Sequence, residues 1–504
     1  MTEPSNKNKK LLFRLSTATA MTALASACGH MPISQPAFED MANMRAGLPA
    51  DWTIAEMSGD PAAVIADYTV FQDAQLIAFI QEALENNRSL RASMEAVNQS
   101  EALLKQSRSG LWPSLRASVG VSATDVDGIA GDLQANPPIF PQQASSFSDE
   151  RYSFGLSGVY SADIMGDVSA SIRSSIAGLR STEATYELAR RQLAAQTARA
   201  YFTIIEQQMQ LALDQATFAR AEDTYRITTA RFDAGSVARD ELVLGESSLA
   251  QSQASIIASE AAVRSAERAL EVLLGRFPRN ALDITGTLPE PPPTPPLGLP
   301  EQTIRARPDV VAAEYNLIQN FANVRIARLA RWPNLDATFT ASVNNSTLNS
   351  TSNLFDLDGI ALTIGAQLAQ TLFDGGGISG RIDAAEASKR AALERYGQTV
   401  IDAYAGILNA LDQYETVKAR GVALETASGA AAESLRLGEL RYNEGSQSLL
   451  DLINVRDRAD LAESQLIAIK RSQLEQWIAL HQALGGQPLT PTPLPSDANT
   501  AEGE

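Results

Sequence analysis

One stretch that occurs twice constrains this chain more than anything else in it. Arg231-Phe232-Asp233-Ala234-Gly235-Ser236, followed by Asp240-Glu241-Leu242, returns as Arg441-Tyr442-Asn443-Glu444-Gly445-Ser446, followed by Leu450-Asp451-Leu452. The offset is 210 residues, and at that spacing Tyr186 returns as Tyr396 and Leu274-Gly275 as Leu484-Gly485. Trp112-Pro113-Ser114-Leu115 returns 220 residues later as Trp332-Pro333-Asn334-Leu335. In each copy a Gly-Ser pair interrupts a long helical pattern, as a tight turn between two helices would. A unit of roughly 200 residues has been duplicated, which predicts one body built from two similar halves rather than several unrelated domains.

Charge and hydropathy remove several classes. With 59 acidic against 41 basic residues the formal charge is −18, and no Lys/Arg cluster suited to phosphate stands out, which argues against nucleic acid. No run of about 18 apolar residues exists, so a membrane span would have to be made of strands. Two histidines, His30 and His481, lack metal-ligand spacing to Cys28 or to a carboxylate cluster. Gly375-Gly376-Gly377 lacks the lysine of a phosphate loop. No catalytic set and no cofactor are expected.

The N-terminus looks like a lipoprotein signal peptide over 1–27. Lys7, Lys9, Lys10 and Arg14 precede a weakly apolar stretch from Leu15 to Ala27, and the only cysteine, Cys28, follows Ala25-Ser26-Ala27. Cys28 would then be the lipidated first residue of the mature chain.

After an irregular segment (28–73), apolar residues recur at helical spacing from Ala74 to about Gly110, ending at Trp112-Pro113. Leu115, Ala117, Val119, Val121 and Ala123 then alternate with polar or small residues, and so do Tyr152, Phe154, Leu156, Gly158 and Tyr160. Period two predicts strands over about 113–124 and 151–164, joined by a Gly/Asp/Pro/Gln-rich loop. The second half repeats the pattern, with strands over about 334–344 and 359–371. Each strand is near the ~10 residues that cross a bilayer when tilted. Four strands cannot close a barrel, and an open edge in lipid leaves backbone groups unpaired, so several copies must combine. Two copies would give eight strands and three would give twelve.

Each strand pair precedes a helical pattern long enough to read as a coiled coil: Asp167 to Phe232 and Asp240 to Leu274, then Ile378 to Tyr442 and Leu449 to Leu484. The two repeats thus span 74–275 and 301–486. A Pro-rich connector (276–300) in polyproline II form separates them, and a disordered tail (487–504) follows.

Four motifs in order carry a family likeness: Arg307-Pro308-Asp309-Val310 with Ala312-Ala313-Glu314, then Trp332-Pro333-Asn334-Leu335, then Leu372-Phe373-Asp374-Gly375-Gly376, then Arg441-Tyr442-Asn443-Glu444-Gly445. Over about residues 70–486 the chain resembles TolC-type outer-membrane efflux proteins, and Cys28 points to the NodT-like lipoprotein branch that serves RND pumps. The resemblance implies a homotrimer with a twelve-stranded β-barrel in outer-membrane lipid and a twelve-helix tunnel through the periplasm of a Gram-negative cell. It implies that the hairpin tips (Arg231, Gly235, Ser236, Arg441, Tyr442, Gly445, Ser446) meet a periplasmic adaptor protein. It also implies a constriction at Asp451 and Glu241, each six residues after its turn glycine, with Asn454 where some relatives carry a second acid. Three copies of each acid around one axis would repel one another and attract cations. The bland reading makes both acids solvated helix-face residues. Asp163-Ile164-Met165-Gly166 is a loose version of the family's first-half motif.

Trp112 and Trp332, each at a helix-to-strand junction, suit an interfacial aromatic belt. The function expected is passive export of small molecules driven by a separate inner-membrane pump. The alternatives are a duct for type I protein secretion and a periplasmic spacer lipoprotein without a pore. The paired alternating strands argue against the spacer.

Overall fold

The structure, a computed structural model, describes residues 68–126, 147–295, 300–345 and 360–485. Cys28, the stretch 1–27 expected to be a signal peptide, the loops between paired strands and the tail from 486 lie outside the described residues. After a short turn of 3-10 helix at Tyr68–Phe71 come α1 (Ala74–Asn86), α2 (Arg88–Ser109), β1 (Ser114–Val126), β2 (Phe147–Ala162), α3 (Asp167–Asp233) and α4 (Arg239–Leu273). The second copy holds α5 (Pro300–Arg305), α6 (Pro308–Leu329), β3 (Asn334–Asn345), β4 (Ile360–Ala369), α7 (Gly377–Asn443) and α8 (Leu449–Ala483). Three helix pairs match exactly in length: α2 and α6 have 22 residues, α3 and α7 have 67, α4 and α8 have 35.

Contacts divide the chain into two compact units that cut across the repeats, each taking material from both copies. One unit holds the sheet, with 100–178 and 318–391; the other holds 179–317 and 392–485 with the first helix. The long helices α3 and α7 contribute to both.

In the sheet unit the strands lie in chain order, β1-β2-β3-β4, every pair antiparallel. Both long helices start on a carboxylate. Asp163 accepts the backbone N–H of Val168 (3.0 Å) and Ser169 (2.9 Å), and Asp374 accepts those of Gly376 (3.1 Å) and Ile378 (2.5 Å). Asp163-Ile164-Met165-Gly166 and Asp374-Gly375-Gly376-Gly377 therefore do one job, satisfying N–H groups that a helix start leaves without partners.

In the other unit the helix expected from Ala74 to Gly110 is broken at Asn87, whose backbone is extended (φ −63°, ψ 125°). Asn87 Oδ1 accepts from Ser89 N (2.9 Å) and Leu90 N (3.0 Å), starting α2, and its Nδ2 donates to the carbonyl of Leu273 at the end of α4 (2.9 Å). The second copy has the same joint. Arg307, before α6, donates Nη1 to the carbonyl of Ala483 at the end of α8 (2.6 Å). Gly275 follows the first joint because a Cβ there would lie 2.5 Å from the Asn86 carbonyl oxygen.

The core of this unit is aromatic: Phe71 meets Phe202 (5.3 Å) and Trp477 (5.1 Å) edge-on, and Trp477 stacks on His481 (5.3 Å). The Pro-rich segment packs onto it. Trp477 Nε1 donates to the Pro293 carbonyl (3.0 Å), and Tyr414 Oη reaches that of Pro292 (3.5 Å). Before it, the buried Glu271 accepts three backbone N–H groups, from Arg279 (2.7 Å), Asn280 (3.0 Å) and Ala281 (3.2 Å). Short α5, at the end of that segment, was not foreseen as a helix.

Candidate functional site

The register of the sheet converts alternation along each strand into two chemically distinct faces. Directly paired residues share a face. Leu115, Ala117, Val119 and Val121 of β1 pair with Gly158, Leu156, Phe154 and Tyr152 of β2. Phe154, Leu156, Gly158 and Tyr160 continue to Val343, Ala341, Phe339 and Ala337 of β3. Those lead to Ile360, Leu362, Ile364 and Ala366 of β4. One face is apolar across all four strands. The other carries Arg116, Ser118, Gly120, Ser153, Ser157, Ser161, Asp336, Thr338, Thr340, Thr363 and Gln367.

The apolar face is uncovered: Val119 is 79% exposed, Ile364 76% and Leu115 70%. A patch of this size on a water-facing surface has no stable place, so another apolar phase must cover it. Lipid does so on the outside of a membrane barrel, whose wall alternates apolar-out and polar-in. No helix among the described residues is long and apolar enough to cross a membrane.

Because β1 and β3 both run antiparallel to β2, their first residues lie at one end of the sheet. Trp112 and Trp332 precede those strands, 76% and 59% exposed. At that same end, beyond β4, Leu372 and Phe373 are exposed as well, and Met165 follows β2. The two tryptophans thus belong to a larger exposed collar. Leu372-Phe373 had been visible as part of a motif, but its place beside the tryptophans depends on strand order.

The two hairpin tips lie in the other unit and pack on each other. Gly235 (φ 70°) and Gly445 (φ 76°) take the left-handed conformation that ends a helix. Ser236 N then donates to the Arg231 carbonyl (2.8 Å), and Ser446 N to the Arg441 carbonyl (2.9 Å). The guanidinium of Arg231 stands 4.9 Å from the centre of the Tyr442 ring and reaches the carbonyls of Tyr442 and Asn443 (3.4 Å each). A cation from the first tip therefore sits at the C-terminus of α7, where the helix dipole favours it. Tyr442 Oη lies 3.0 Å from Thr228 Oγ1, both buried, and Tyr442 forms a small core with Leu449 and Leu452. Arg441 contributes through its carbonyl, while its side chain is exposed.

Asp451 and Asn454 are exposed, and Glu241 is half-buried. Asp451 has a local partner in Ser448: Ser448 Oγ accepts the Asp451 N–H (3.1 Å) and donates to its Oδ2 (2.7 Å). That arrangement caps the start of α8. The first copy has Ala238 in the capping position and no side-chain cap, so Glu241 carries no equivalent task.

A buried arginine farther along α8, with a part-buried ion pair beside it, was missed. Arg456, 4% exposed, donates Nη2 to Thr224 Oγ1 (3.1 Å) with Glu439 at 3.9 Å. Beside it Arg220 pairs with Asp460 (2.6 Å), which also accepts from Thr217 (3.0 Å). Burial pushes the Asp460 carboxyl up, against the pull of Arg220, and burial lowers Arg456. The signal was in the sequence: Arg456 falls in the buried row Leu449, Leu452, Ala459 at helical spacing. Among the described residues no group of His, Cys, Asp and Glu is placed to hold a metal ion.

A four-stranded sheet with one lipid-compatible face, continued by long paired helices with interlocked tips, defines an outer-membrane export channel of the TolC-like fold. The chain belongs to the outer membrane efflux protein family, whose sequence profile matches residues 79–276 and 299–486. It is 26% identical over 480 residues to the pyoverdine export outer membrane protein OpmQ of Pseudomonas aeruginosa, covering 92% of this chain and 94% of that one. It is 23% identical over 432 residues to nodulation protein T of Rhizobium leguminosarum bv. trifolii, with 85% and 89% covered. Its fold matches the Campylobacter jejuni CmeC outer membrane channel with a TM-score of 0.74 at 20% identity, over 87% of this chain and 91% of that one. The chain is an exit duct at the outer membrane, and its family is one of channels rather than enzymes.

Proposed function

We propose that three copies of this chain associate into a twelve-stranded barrel and twelve-helix tunnel that serves as the passive exit duct of a tripartite efflux system. An inner-membrane RND-type pump supplies the drive, and a periplasmic adaptor docks on the hairpin tips. The observation that carries the reading is the sheet: among the described residues, four strands, one apolar face, and β1 and β4 left as unpaired edges. An unpaired edge in lipid is too costly to persist, and joining β1 of one copy to β4 of the next removes every edge.

Asp451 and Glu241 form the periplasmic constriction in this reading, with Asn454 one turn behind Asp451. Ser448 supports the role by fixing the Asp451 carboxylate at the first turn of α8. Arg231 and Tyr442 hold the two tips together. Cys28 anchors the mature chain in the outer membrane by its lipid, and Trp112 and Trp332 mark the membrane interface. The relative named for pyoverdine export makes a small-molecule client the first to test, ahead of a secreted protein.

The test is a deletion strain challenged with antibiotics, detergents, metal salts and a siderophore, complemented with wild type or with Asp451→Ala. Hypersensitivity or retained siderophore, reversed by wild type, is expected, and Asp451→Ala should leak. A flat response to the whole panel would overturn small-molecule efflux.

A further inference from the structure

A cavity of about 750 Å³ opens in the second unit, between the middle of α3, the start of α6 and the end of α8. Its charged lining is lopsided. Arg190, Arg191 and Arg199 reach it from α3 and Arg307 from the α6 joint, against the carboxylates of Glu187 and Asp309 alone. Four cations face two anions in a chain whose acids otherwise outnumber its bases, 59 to 41.

Both carboxylates are already engaged. Asp309 takes two bonds from Arg307 (3.0 and 2.7 Å), and Glu187 lies 3.7 Å from Arg190. Arg199 donates to a neutral group, the side-chain oxygen of Gln482 (2.6 Å). Arg191 is half-buried, and that burial lowers its pKa against the opposing effect of Glu187.

The two copies of the duplication do not share this charge. At the 210-residue offset Arg190, Arg191 and Arg199 correspond to Val400, Ile401 and Asn409. At the 220-residue offset of α2 and α6, Arg307 corresponds to Asn87, which makes the same contact to a helix-end carbonyl without a charge. The joint needs a donor; the guanidinium is an addition peculiar to the second copy.

We propose that this cavity is a binding site for a small polycarboxylate, a ligand of peptide size with at least two carboxylates. Its cations are arginines, whose planar fork matches a carboxylate in two-point contact; Arg307 is already held by Asp309 and the Ala483 carbonyl, which leaves the binding to the arginines of α3. The volume lies in the range of ordinary ligand pockets. Tyr68, Gln192 and Gln196 add hydrogen-bonding groups, and Ile80, Leu84 and Leu188 give apolar wall for the ligand's carbon frame. A bound ligand ties α3, α6 and α8 together at the repeat joint and stabilises the folded chain by mass action. The site stands on the cavity and its lining, and does not depend on what the duct exports.

The test uses full-length protein purified in detergent, with the dipeptide Glu-Glu as probe and Gln-Gln at matched ionic strength as control. Calorimetric titration and thermal unfolding should show saturable binding and a raised unfolding temperature with Glu-Glu and neither with Gln-Gln. Arg199→Gln and Arg191→Gln, each checked for an unchanged unliganded unfolding profile, should weaken binding about tenfold or more, the size of a lost charge-assisted contact. Equal responses to Glu-Glu and Gln-Gln would overturn the proposal, and that comparison needs no variant. Binding of inorganic phosphate in place of Glu-Glu would overturn the ligand class. An undiminished affinity in both variants would overturn the site.

Discussion

Arg456 shows how a single residue joins the two halves of the duplication. It occupies a core position on α8, and its guanidinium ends on Thr224 of α3, beside the Arg220–Asp460 pair. Arg220 and Asp460 keep each other as partners without it, so truncating Arg456 costs the packing of a buried side chain and its bond to Thr224, and an apolar replacement of similar length restores the packing. Arg456→Ala is expected to lower stability by about 3 kcal/mol, the size of a large-to-small change at a buried position, read as a fall in unfolding temperature, and Arg456→Met should recover much of it. A Met variant no better than Ala would mean that the charge itself is needed.

Glu271 supplies a pH dependence. Burial would raise its carboxyl, but the three backbone N–H bonds, helped by Arg276, outweigh burial and hold it below the ordinary value of 4.5. A depressed acid binds fewer protons in the folded state, so its contribution is full above pH 4.5 and is lost as pH falls through the folded value. Glu271→Gln should therefore be less stable than wild type at neutral pH, with the gap closing in acid. A gap that stays constant from pH 7 to acid would contradict this origin.

At the scale of elements, the sheet faces and the hairpin tips each make a prediction. Val119 lies on the apolar face and its neighbour Ser118 on the polar one. An arginine on a lipid face costs about 2–4 kcal/mol near the bilayer centre, while lumen positions tolerate charge. Val119→Arg should sharply reduce folded protein in the outer-membrane fraction, and Ser118→Arg should not. Equal recovery of the two variants would contradict the assignment of faces.

At the tips, Arg231→Gln removes a cation–π contact worth about 1 kcal/mol. Amide hydrogen exchange at 441–446 should then quicken roughly fivefold, by the same energy. An unchanged rate would mean that Tyr442 and Thr228 hold the second tip unaided.

Much of this element structure was legible in the sequence, for identifiable reasons. The strands announced themselves because a sheet with one wet and one apolar face imposes period two. The hairpin turns were visible because Gly235 and Gly445 supply a backbone conformation that few other residues accept. The break at Asn87 was not, since the apolar spacing runs on across it and the contact that joins it to the rest of the fold is with Leu273, 186 residues away. Strand order was likewise hidden. β2 and β3 are neighbours although α3, α4, α5 and α6 separate them in the chain, and local periodicity carries no information on that pairing. Asp451 was legible as a position, but its partnership with Ser448 adds a capping task that a list of family positions does not contain.

At the scale of the whole molecule, the account turns on edges. Among the described residues one chain contributes four strands in sequential order and leaves β1 and β4 open. Membrane barrels begin at about eight strands, so the functional object is an assembly rather than a chain. The duplication accounts for its internal pseudo-symmetry, since each copy supplies one strand pair and one long helical hairpin. The most direct test is to purify the full-length protein in mild detergent, determine the number of chains per particle by native mass measurement, and record its conductance in a planar bilayer. The account predicts three chains and a pore whose conductance rises in Asp451→Ala. A stable single chain, or a trimer that inserts and passes no ions in either form, would contradict it.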